Sequence, residues 1–275
     1  MKANSVRKIS IIGCGWLGKP LAIHLRNAGY EVMATNTSGR SDSELDSSGV
    51  KICSLKATSE DLSFSDDAVF FCDVLIINFP PARNEEKASQ HPLQIKLIAE
   101  QIRKNKIQRV LFVSSTSVYP DLNTLVDENC EAPPVKASGK ALLDAERILR
   151  DESGSKVTLI RFAGLIGYDR LPARFLAGKK ELKDGQSPVN LIHRDDCIRI
   201  IEKIISRDAF GEIYNGVCDQ HPLRADFYTR AAMNAGLPLP EFLDLPSDNW
   251  KIVSGEKLKN HLQYNYIHPD PMLLI

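Results

Sequence analysis

Apolar runs and stretches of helical periodicity alternate over the first 160 residues of the chain. Runs such as 74–77 and 110–113 are apolar at every position, which is typical of parallel strands covered on both faces. The alternation predicts an α/β fold built on a doubly wound parallel sheet with right-handed crossovers. We expect strands at 9–12, 31–34, 50–53, 74–78, 110–114 and 157–161, and helices at 16–28, 92–104 and 135–151.

The pattern changes after residue 161, where glycine, proline and lysine become frequent up to residue 188. Further along we expect helices at 172–177, 197–205, 224–235 and 255–263, and strands at 189–192 and 211–215. We therefore predict a core domain at 1–164, completed by 189–235, and a small C-terminal lobe formed by 165–188 and 236–275. The lobe is expected to bind substrate at the carboxyl edge of the sheet, where open α/β sheets bind ligands.

The turn between the first strand and the first helix contains three glycines, in the sequence Gly13-Cys14-Gly15-Trp16-Leu17-Gly18. In dinucleotide-binding sheets the first glycine permits a tight turn, and the second lets the backbone approach a pyrophosphate. The third lets the helix pack close to the sheet, and the pyrophosphate lies at the positive end of that helix. Incidental glycines in an ordinary turn are the alternative, but the position directly between strand and helix favours dinucleotide binding.

Charge and composition exclude several other classes of function. The 35 basic and 35 acidic side chains cancel, so we expect neither nucleic acid nor a membrane as partner. No apolar run reaches the roughly 18 residues of a membrane span, and the N-terminal residues do not resemble a signal peptide. The six cysteines form no CxxC pair and the six histidines are scattered, so we predict no metal site and no disulfide framework. These features indicate a protein of the reducing cytoplasm.

The end of the second strand bears on which cofactor is bound. NAD-binding sheets place an acidic residue there, about 20 residues after the glycines, to bind the ribose 2′-hydroxyl. Residues 32–41 contain no acid, and Asn36, Thr37, Ser38 and Arg40 lie in its place. Arginine binds phosphate in a bidentate manner, whereas a carboxylate would repel it. We therefore expect NADP(H) to be preferred over NAD(H); the alternative is a polar turn that also accepts NAD.

Further motifs accompany the glycine turn: Ser-Ser-Thr-Ser-Val-Tyr at 114–119, Lys140, and the segments 161–167, 190–196 and 211–215. With them, nearly the whole chain resembles the short-chain dehydrogenase/reductase superfamily, in its extended, epimerase/dehydratase-like branch. Within that branch it is most similar to small bacterial YeeZ-like proteins. The resemblance implies a Rossmann-type fold and a nicotinamide dinucleotide cofactor. The cofactor-binding residues that we expect are Gly13, Gly15, Trp16, Leu17, Gly18, Asn36, Thr37, Ser38, Arg40, Phe79, Pro80, Ser114, Lys140, Phe162 and Leu165.

The resemblance also implies catalytic roles. In this family a serine or threonine polarises the substrate, and a tyrosine four residues before a lysine exchanges the proton. Ser115 matches the serine and Lys140 the lysine, but Lys136 occupies the tyrosine position. A desolvated ammonium beside a second one could act as a base; a solvated side chain near the helix start is the alternative. Tyr119 and Tyr168 are further candidates for proton donor, although Tyr119 also suits a packing role.

Two classes of function remain open. The first is an NADP(H)-dependent oxidoreductase or epimerase that acts on a carbonyl or hydroxyl substrate with a non-standard proton donor. The second is a non-catalytic dinucleotide-binding sensor or interaction module. Dehydratase chemistry is not expected, because Thr116 and Ser117 replace the Asp-Glu pair of the sugar-nucleotide dehydratases in this family. The basic segment 170–183 indicates an anionic small-molecule substrate or else a solvated loop, and the resemblance implies a homodimer.

Overall fold

The computed structural model describes residues 6–82 and 84–275. Single turns of 3-10 helix occupy Asp67–Phe70, Thr116–Val118 and Pro271–Leu274. The strands are β1 (Lys8–Ile12), β2 (Glu31–Asn36), β3 (Lys51–Ala57), β4 (Leu62–Phe64), β5 (Val74–Ile77), β6 (Arg109–Ser115), β7 (Thr124–Val126), β8 (Lys156–Phe162), β9 (Gly164–Ile166), β10 (Leu191–His193), β11 (Ile213–Gly216) and β12 (Lys251–Val253). The helices are α1 (Gly18–Asn27), α2 (Ser43–Ser48), α3 (Glu85–Ala88), α4 (His91–Lys104), α5 (Ala137–Glu152), α6 (Ala173–Leu176), α7 (Arg194–Ser206), α8 (Arg224–Asn234) and α9 (Glu256–Leu262).

One sheet contains eight strands in the order β11-β8-β6-β5-β1-β2-β3-β4. β1 lies between β2 and β5 and is parallel to both, and the pairs β2–β3 and β5–β6 are also parallel. Only β4, among the strands whose pairing is described in this sheet, runs antiparallel to its neighbour. The chain reverses its direction of winding at β1, which makes the carboxyl end of β1 the expected ligand site of a doubly wound sheet. The predicted Rossmann-type α/β fold is confirmed.

The core of this sheet forms because its central strands are apolar on both faces. All four side chains of β5 are fully buried, as are Ile9, Ile11 and Ile12 of β1. α4 buries Ile95 and Ile102 on one face, as its helical period requires. Full burial of an aliphatic side chain contributes about 1.5–3 kcal/mol, so these strands and helices hold the ligand-binding edge in a fixed position.

The chain divides into two compact units. The first contains the described residues up to Val118, with Pro133–Arg161 and Ile198–Tyr214. The second contains Tyr119–Ala132, Phe162–Cys197 and Asn215–Ile275. Within the second unit, β9 pairs with β10 and β7 pairs with β12, both in parallel. Its core contains Ile166, Val189, Leu191 and Phe227.

The long elements expected from the sequence are present, with ends displaced by at most four residues. The short ones were not predicted: α2, α3 and the three-residue strands β4, β7, β9 and β12 are too brief to carry a readable period. The division into units also differs from the predicted domain bounds: residues 119–132, 162–164, 189–197 and 215–235, all expected in the core domain, belong to the second unit. There Asn123 N donates to Trp250 O at 2.8 Å and Asn123 Oδ1 accepts from Trp250 N at 3.0 Å, beside the β7–β12 pairing.

Within the described ranges, no helix combines the length and the apolar character that crossing a membrane requires. All six cysteines lie in these ranges and are unpaired.

Candidate functional site

The glycine turn joins β1 to α1 with almost no space for side chains. Gly13 has a φ of 105°, a conformation that favours glycine, and a Cβ there would lie 2.4 Å from Asn78 O. A Cβ on Gly18 would lie 2.1 Å from Gly13 O, far inside contact distance. These two glycines are therefore required by the packing of the turn itself, with the first residue of α1 placed directly against it.

Gly15 differs from its two neighbours, because a Cβ on it would have no heavy atom within 4 Å. Gly15 is exposed, and the first turn of α1 contains no acidic residue and no side-chain cap. The positive end of a helix of this length attracts anions. The turn therefore fits a dinucleotide pyrophosphate: the protein leaves open the one glycine position that the ligand would approach.

Asn78 stabilises the turn and was not among the predicted site residues. Its backbone N donates to Ile12 O at 2.8 Å, and its side-chain Nδ2 donates to Gly13 O at 3.1 Å. Asn78 follows β5 directly, so it lies at the same sheet edge as the turn. The sequence signal that could have identified it is an asparagine directly after an apolar strand that pairs with β1, where the winding of the sheet reverses.

A pocket of about 350 Å³ opens at the carboxyl ends of β1, β2, β3 and β5. That volume is within the range of small-molecule sites, and the position suits the adenosine half of a dinucleotide. Another cavity of about 350 Å³ lies at the amino ends of β1, β2 and β3, away from the predicted catalytic residues. The lining of the first pocket includes Gly13, Asn36, Thr37, Lys56, Phe79, Pro80 and Lys87.

The loop after β2 is organised by Asn36. Its Oδ1 accepts from Ser38 N at 3.1 Å and Gly39 N at 2.6 Å, and its Nδ2 donates to Arg40 O at 2.8 Å. The amide of Asn36 is thus used within the loop, while the side chains of Thr37 and Arg40 remain exposed. The described residues give the Arg40 guanidinium no ion pair, so it is available to an anionic group.

Asp42 is the first acid after that loop, and Lys19 compensates its charge. Lys19 Nζ lies 2.6 Å from Asp42 Oδ2 and 2.7 Å from Glu44 Oε2. The hydrogen bond from Lys19 lowers the pKa of Asp42 and raises the pKa of Lys19. Asp42 Oδ1 also caps α2 through the backbone N of Glu44 and Leu45. The nearest carboxylates are therefore occupied by the protein.

A buried ion pair connects the end of β6 to α5 and β8. Ser114 Oγ donates to Glu146 Oε1 at 2.6 Å, and Arg161 donates to Glu146 Oε1 at 3.0 Å and Oε2 at 2.5 Å. All three residues are at most 5% exposed. The hydroxyl of Ser114 thus binds the protein, and α5 is held in a fixed position relative to the predicted catalytic turn.

Ser115 and Lys140 come from segments in direct contact. A Cβ on Gly139 would lie 2.3 Å from Ser117 O, so only a glycine allows the start of α5 to approach this turn so closely. Ser115 Oγ accepts from Ser117 N at 3.1 Å, which leaves the hydroxyl proton available to a substrate. Lys140 is exposed one turn into the helix, and Lys136 is exposed at the position that precedes it.

The remaining predicted residues lie in the second unit, where Phe162 is buried and Leu165 is half-buried. Tyr119 is also buried, and its hydroxyl donates to Asn215 Oδ1 at 2.8 Å. Tyr168 is exposed and donates to Asp195 Oδ1 at 2.9 Å, and this bond raises the pKa of the phenol. Both tyrosines therefore have defined partners within their own unit.

Comparison with known proteins is consistent with this arrangement. The model of the NAD dependent epimerase/dehydratase family matches residues 9–215, which include the glycine turn, Ser115 and Lys140. The chain is 35% identical to Protein YeeZ of Escherichia coli K12 over 272 residues, 98% of this chain and 99% of that protein. The chain belongs to the NAD dependent epimerase/dehydratase family.

Solved structures with the same fold include an epimerase and a protein of unknown function. A conserved protein from Silicibacter pomeroyi has a TM-score of 0.81 at 22% identity, covering 97% of this chain and 96% of that one. The UDP-glucuronic acid 4-epimerase from Bacillus cereus, solved with NAD, has a TM-score of 0.75 at 18% identity, covering 96% and 95%. At this identity the likeness concerns the fold.

Family membership and the open position at Gly15 together make this chain an NAD(P)-binding, epimerase-like protein. A bound nicotinamide dinucleotide supplies a hydride donor or acceptor. The glycine turn would hold the pyrophosphate, and the pocket beside β2 and β3 would hold the adenosine half. Ser115 and Lys140 lie on adjacent segments at the carboxyl edge of the sheet.

Proposed function

We propose that this protein is an NADP(H)-dependent oxidoreductase or epimerase that acts on a carbonyl or hydroxyl group with a non-standard proton donor. The main support is the contact that Gly139 permits between the start of α5 and the turn after β6. The ribose contact expected of Lys140 suits a binding protein as well; the packing of α5 beside the segment of Ser115, whose hydroxyl proton is available to a substrate, favours an enzyme.

In this proposal Ser115 donates its hydroxyl proton to the substrate oxygen as a hydrogen bond, and Lys140 binds the cofactor ribose. The proton itself passes through Lys136, which occupies the position of the family tyrosine. A bound substrate that excludes water from Lys136 would favour the neutral amine, which is the form that accepts a proton. The basic segment 170–183, whose Arg170, Arg174 and lysines are exposed, suits an anionic substrate.

The cofactor preference rests on the loop after β2. It contains no acid to bind a ribose 2′-hydroxyl, its Arg40 is exposed, and the nearest carboxylate is paired with Lys19. We expect NADPH to bind more tightly than NADH in a fluorescence titration of the purified protein. Arg40→Ala should weaken NADPH binding about 10-fold, because a charged hydrogen bond to phosphate is worth about 1.5–3 kcal/mol, and should leave NADH binding unchanged. Arg150→Ala is the matched control on α5.

The result that contradicts this preference is an NADH affinity equal to or higher than that of NADPH in the unmodified protein. An equal loss of affinity for both cofactors in Arg40→Ala would show instead that the arginine stabilises the loop and does not bind the 2′-phosphate.

Turnover is tested by a screen of aldehydes, ketones and sugar nucleotides with NADPH or NADP. If Lys140→Ala abolishes a detected turnover while cofactor remains bound, the protein is an enzyme. Lys136→Tyr restores the family pattern and is expected to raise the rate, because a phenol next to the Lys140 ammonium is a better acid-base group.

The alternative is a dinucleotide-binding sensor or interaction module, and the absence of the family tyrosine favours it. This alternative predicts that NADPH raises the melting temperature while no substrate is turned over by the original chain. It also predicts that Lys136→Tyr gains no activity. A gain of activity in this variant would show that the rest of the catalytic site is competent.

A further inference from the structure

His193, Asp195 and His268 form a cluster of side chains that the dinucleotide site does not use. Each offers one ligand-type atom, and these atoms lie within 4.8 Å of one another. His193 Nδ1 is 3.4 Å from Asp195 Oδ2, and His268 Nε2 is 3.5 Å from the same oxygen. In a tetrahedral zinc site with bonds of about 2.0 Å, neighbouring ligand atoms are about 3.3 Å apart, so both distances fit a shared ion.

The nitrogen atoms are in a state that suits metal binding. Asp195 N donates to His193 Nδ1 at 3.3 Å, so this nitrogen is unprotonated, and a metal ion would take its single lone pair in place of that long hydrogen bond. His268 Nε2 is buried and has no hydrogen-bond partner within the described residues. A buried imidazole nitrogen without a partner is costly unless another group binds it.

Separate contacts fix each of the three ligands. Gly167 has a φ of 117°, and a Cβ there would lie 2.3 Å from His193 Nε2, so the ring packs directly against the backbone. The Tyr168 hydroxyl orients the Asp195 carboxylate through Oδ1 and leaves Oδ2 free for a metal. Such supporting contacts are typical of metal sites.

Asp196 fixes the third ligand. Its carboxylate is fully buried and accepts from Tyr264 Oη at 2.7 Å, Ile267 N at 2.7 Å and His268 N at 3.1 Å. The C-terminal segment is therefore held against the start of α7, and the backbone of His268 is placed within reach of Asp195.

We propose that His193 Nδ1, Asp195 Oδ2 and His268 Nε2 bind a divalent transition metal ion of the Zn²⁺ type, with a fourth position open to water or a small ligand. Two imidazoles and one carboxylate suit zinc and its neighbours more than Mg²⁺ or Ca²⁺, which prefer oxygen ligands. This departs from the expectation of no metal site, which rested on sequence spacing: His268 is far from the other two ligands in the sequence, and only the fold brings it close.

The site connects α7 to the C-terminal segment, so a bound ion would stabilise the second unit. The Arg194 guanidinium lies over the Tyr168 ring, 3.8 Å from the ring centroid, and is not one of the proposed ligands. Its positive charge nearby reduces the affinity for a cation, which points to a moderate affinity.

The test is a titration of the full-length protein with Zn²⁺, after dialysis against a chelator, followed by calorimetry and by metal analysis of the washed protein. We expect one Zn²⁺ per chain, no comparable binding of Mg²⁺, and a higher melting temperature with Zn²⁺. His268→Gln and Asp195→Asn should each weaken Zn²⁺ binding at least 10-fold, and Tyr168→Phe should weaken it by a smaller factor without changing the stoichiometry.

His24→Gln is the matched control, because His24 Nε2 lies 3.0 Å from Glu202 Oε2 without forming part of a three-ligand cluster. It should leave the affinity unchanged. Absence of Zn²⁺ binding in the original chain overturns the proposal, and so does binding that His268→Gln and Asp195→Asn leave intact while circular dichroism shows both variants folded. Co²⁺ gives a second readout, since a tetrahedral site of this kind produces strong visible absorption that His268→Gln should remove.

Discussion

The three glycines of the turn should separate ligand binding from folding when each is replaced by alanine. A Cβ on Gly18 would lie 2.1 Å from Gly13 O, whereas ordinary contact begins at 3.4 Å, so the backbone has to move by more than an ångström. Such overpacking costs about 1–3 kcal/mol, which corresponds to a loss of about 2–12 °C in melting temperature for a chain of this size.

Gly15→Ala should have the opposite profile. Its Cβ has no neighbour within 4 Å, and its φ lies outside the left-handed range, so the folded state tolerates the methyl group. The variant gains up to about 1 kcal/mol of stability because alanine restricts the unfolded chain more than glycine does. The methyl group occupies the space that the pyrophosphate would approach, and we expect NADPH affinity to fall at least 10-fold, about 1.4 kcal/mol.

The assay combines thermal unfolding without cofactor and fluorescence titration with NADPH for both variants. We expect Gly15→Ala to be stable and to bind NADPH weakly, and Gly18→Ala to be destabilised. If Gly15→Ala remains folded and binds NADPH as tightly as the original chain, the open position does not serve the cofactor. If Gly18→Ala is as stable as the original chain, the contact with Gly13 O is not a packing constraint.

Two further predictions concern buried groups that hold the first unit together. Glu146→Gln should lower the free energy of unfolding by about 3–5 kcal/mol, because it leaves the buried Arg161 guanidinium without its carboxylate. The control is Glu241→Gln: Glu241 and its ion-pair partner Lys180 have side chains that are 61% and 71% exposed, so this change should alter the free energy by less than about 0.5 kcal/mol. Equal effects of the two substitutions in denaturant unfolding would refute the prediction. Burial lowers the pKa of His91 to about 4 from an ordinary 6.5, so the unfolded chain binds a proton below pH 6.5 that the folded protein does not bind until about pH 4. The stability that neutral His91 contributes is therefore complete above pH 6.5 and falls by roughly 3 kcal/mol between pH 6.5 and 4. The free energy of unfolding of His91→Leu should decline less steeply over this pH range. Parallel curves of unfolding free energy against pH for the two proteins would contradict this.

The sequence was sufficient for the parts of the fold that repeat a period. Continuous apolar runs such as 74–77 specify strands buried on both faces, and the glycine turn specifies the switch point of the sheet. It was insufficient for contacts between distant residues. Asn78 supports the glycine turn through a hydrogen bond across 65 residues, and Glu146 binds Ser114 across 32 residues; no spacing in the sequence pairs either residue with its partner. The grouping of 119–132 with the C-terminal residues depends on the pairing of two three-residue strands, which carry no period of their own.

The structure also narrows the candidates for proton exchange. Tyr119 donates its hydroxyl to Asn215 and is 3% exposed, so a role in proton exchange would require breaking a buried hydrogen bond. Tyr168 donates to Asp195, and the resulting rise in its pKa moves the phenol away from neutral pH, the reverse of what a catalytic tyrosine needs. Lys136 is the remaining candidate for proton exchange among the predicted side chains. It occupies the family tyrosine position, and its charged group is exposed one turn before Lys140. Its activity as an acid or base would then depend on the substrate that covers it, so the rate of proton exchange and the tightness of substrate binding should change together in Lys136 variants.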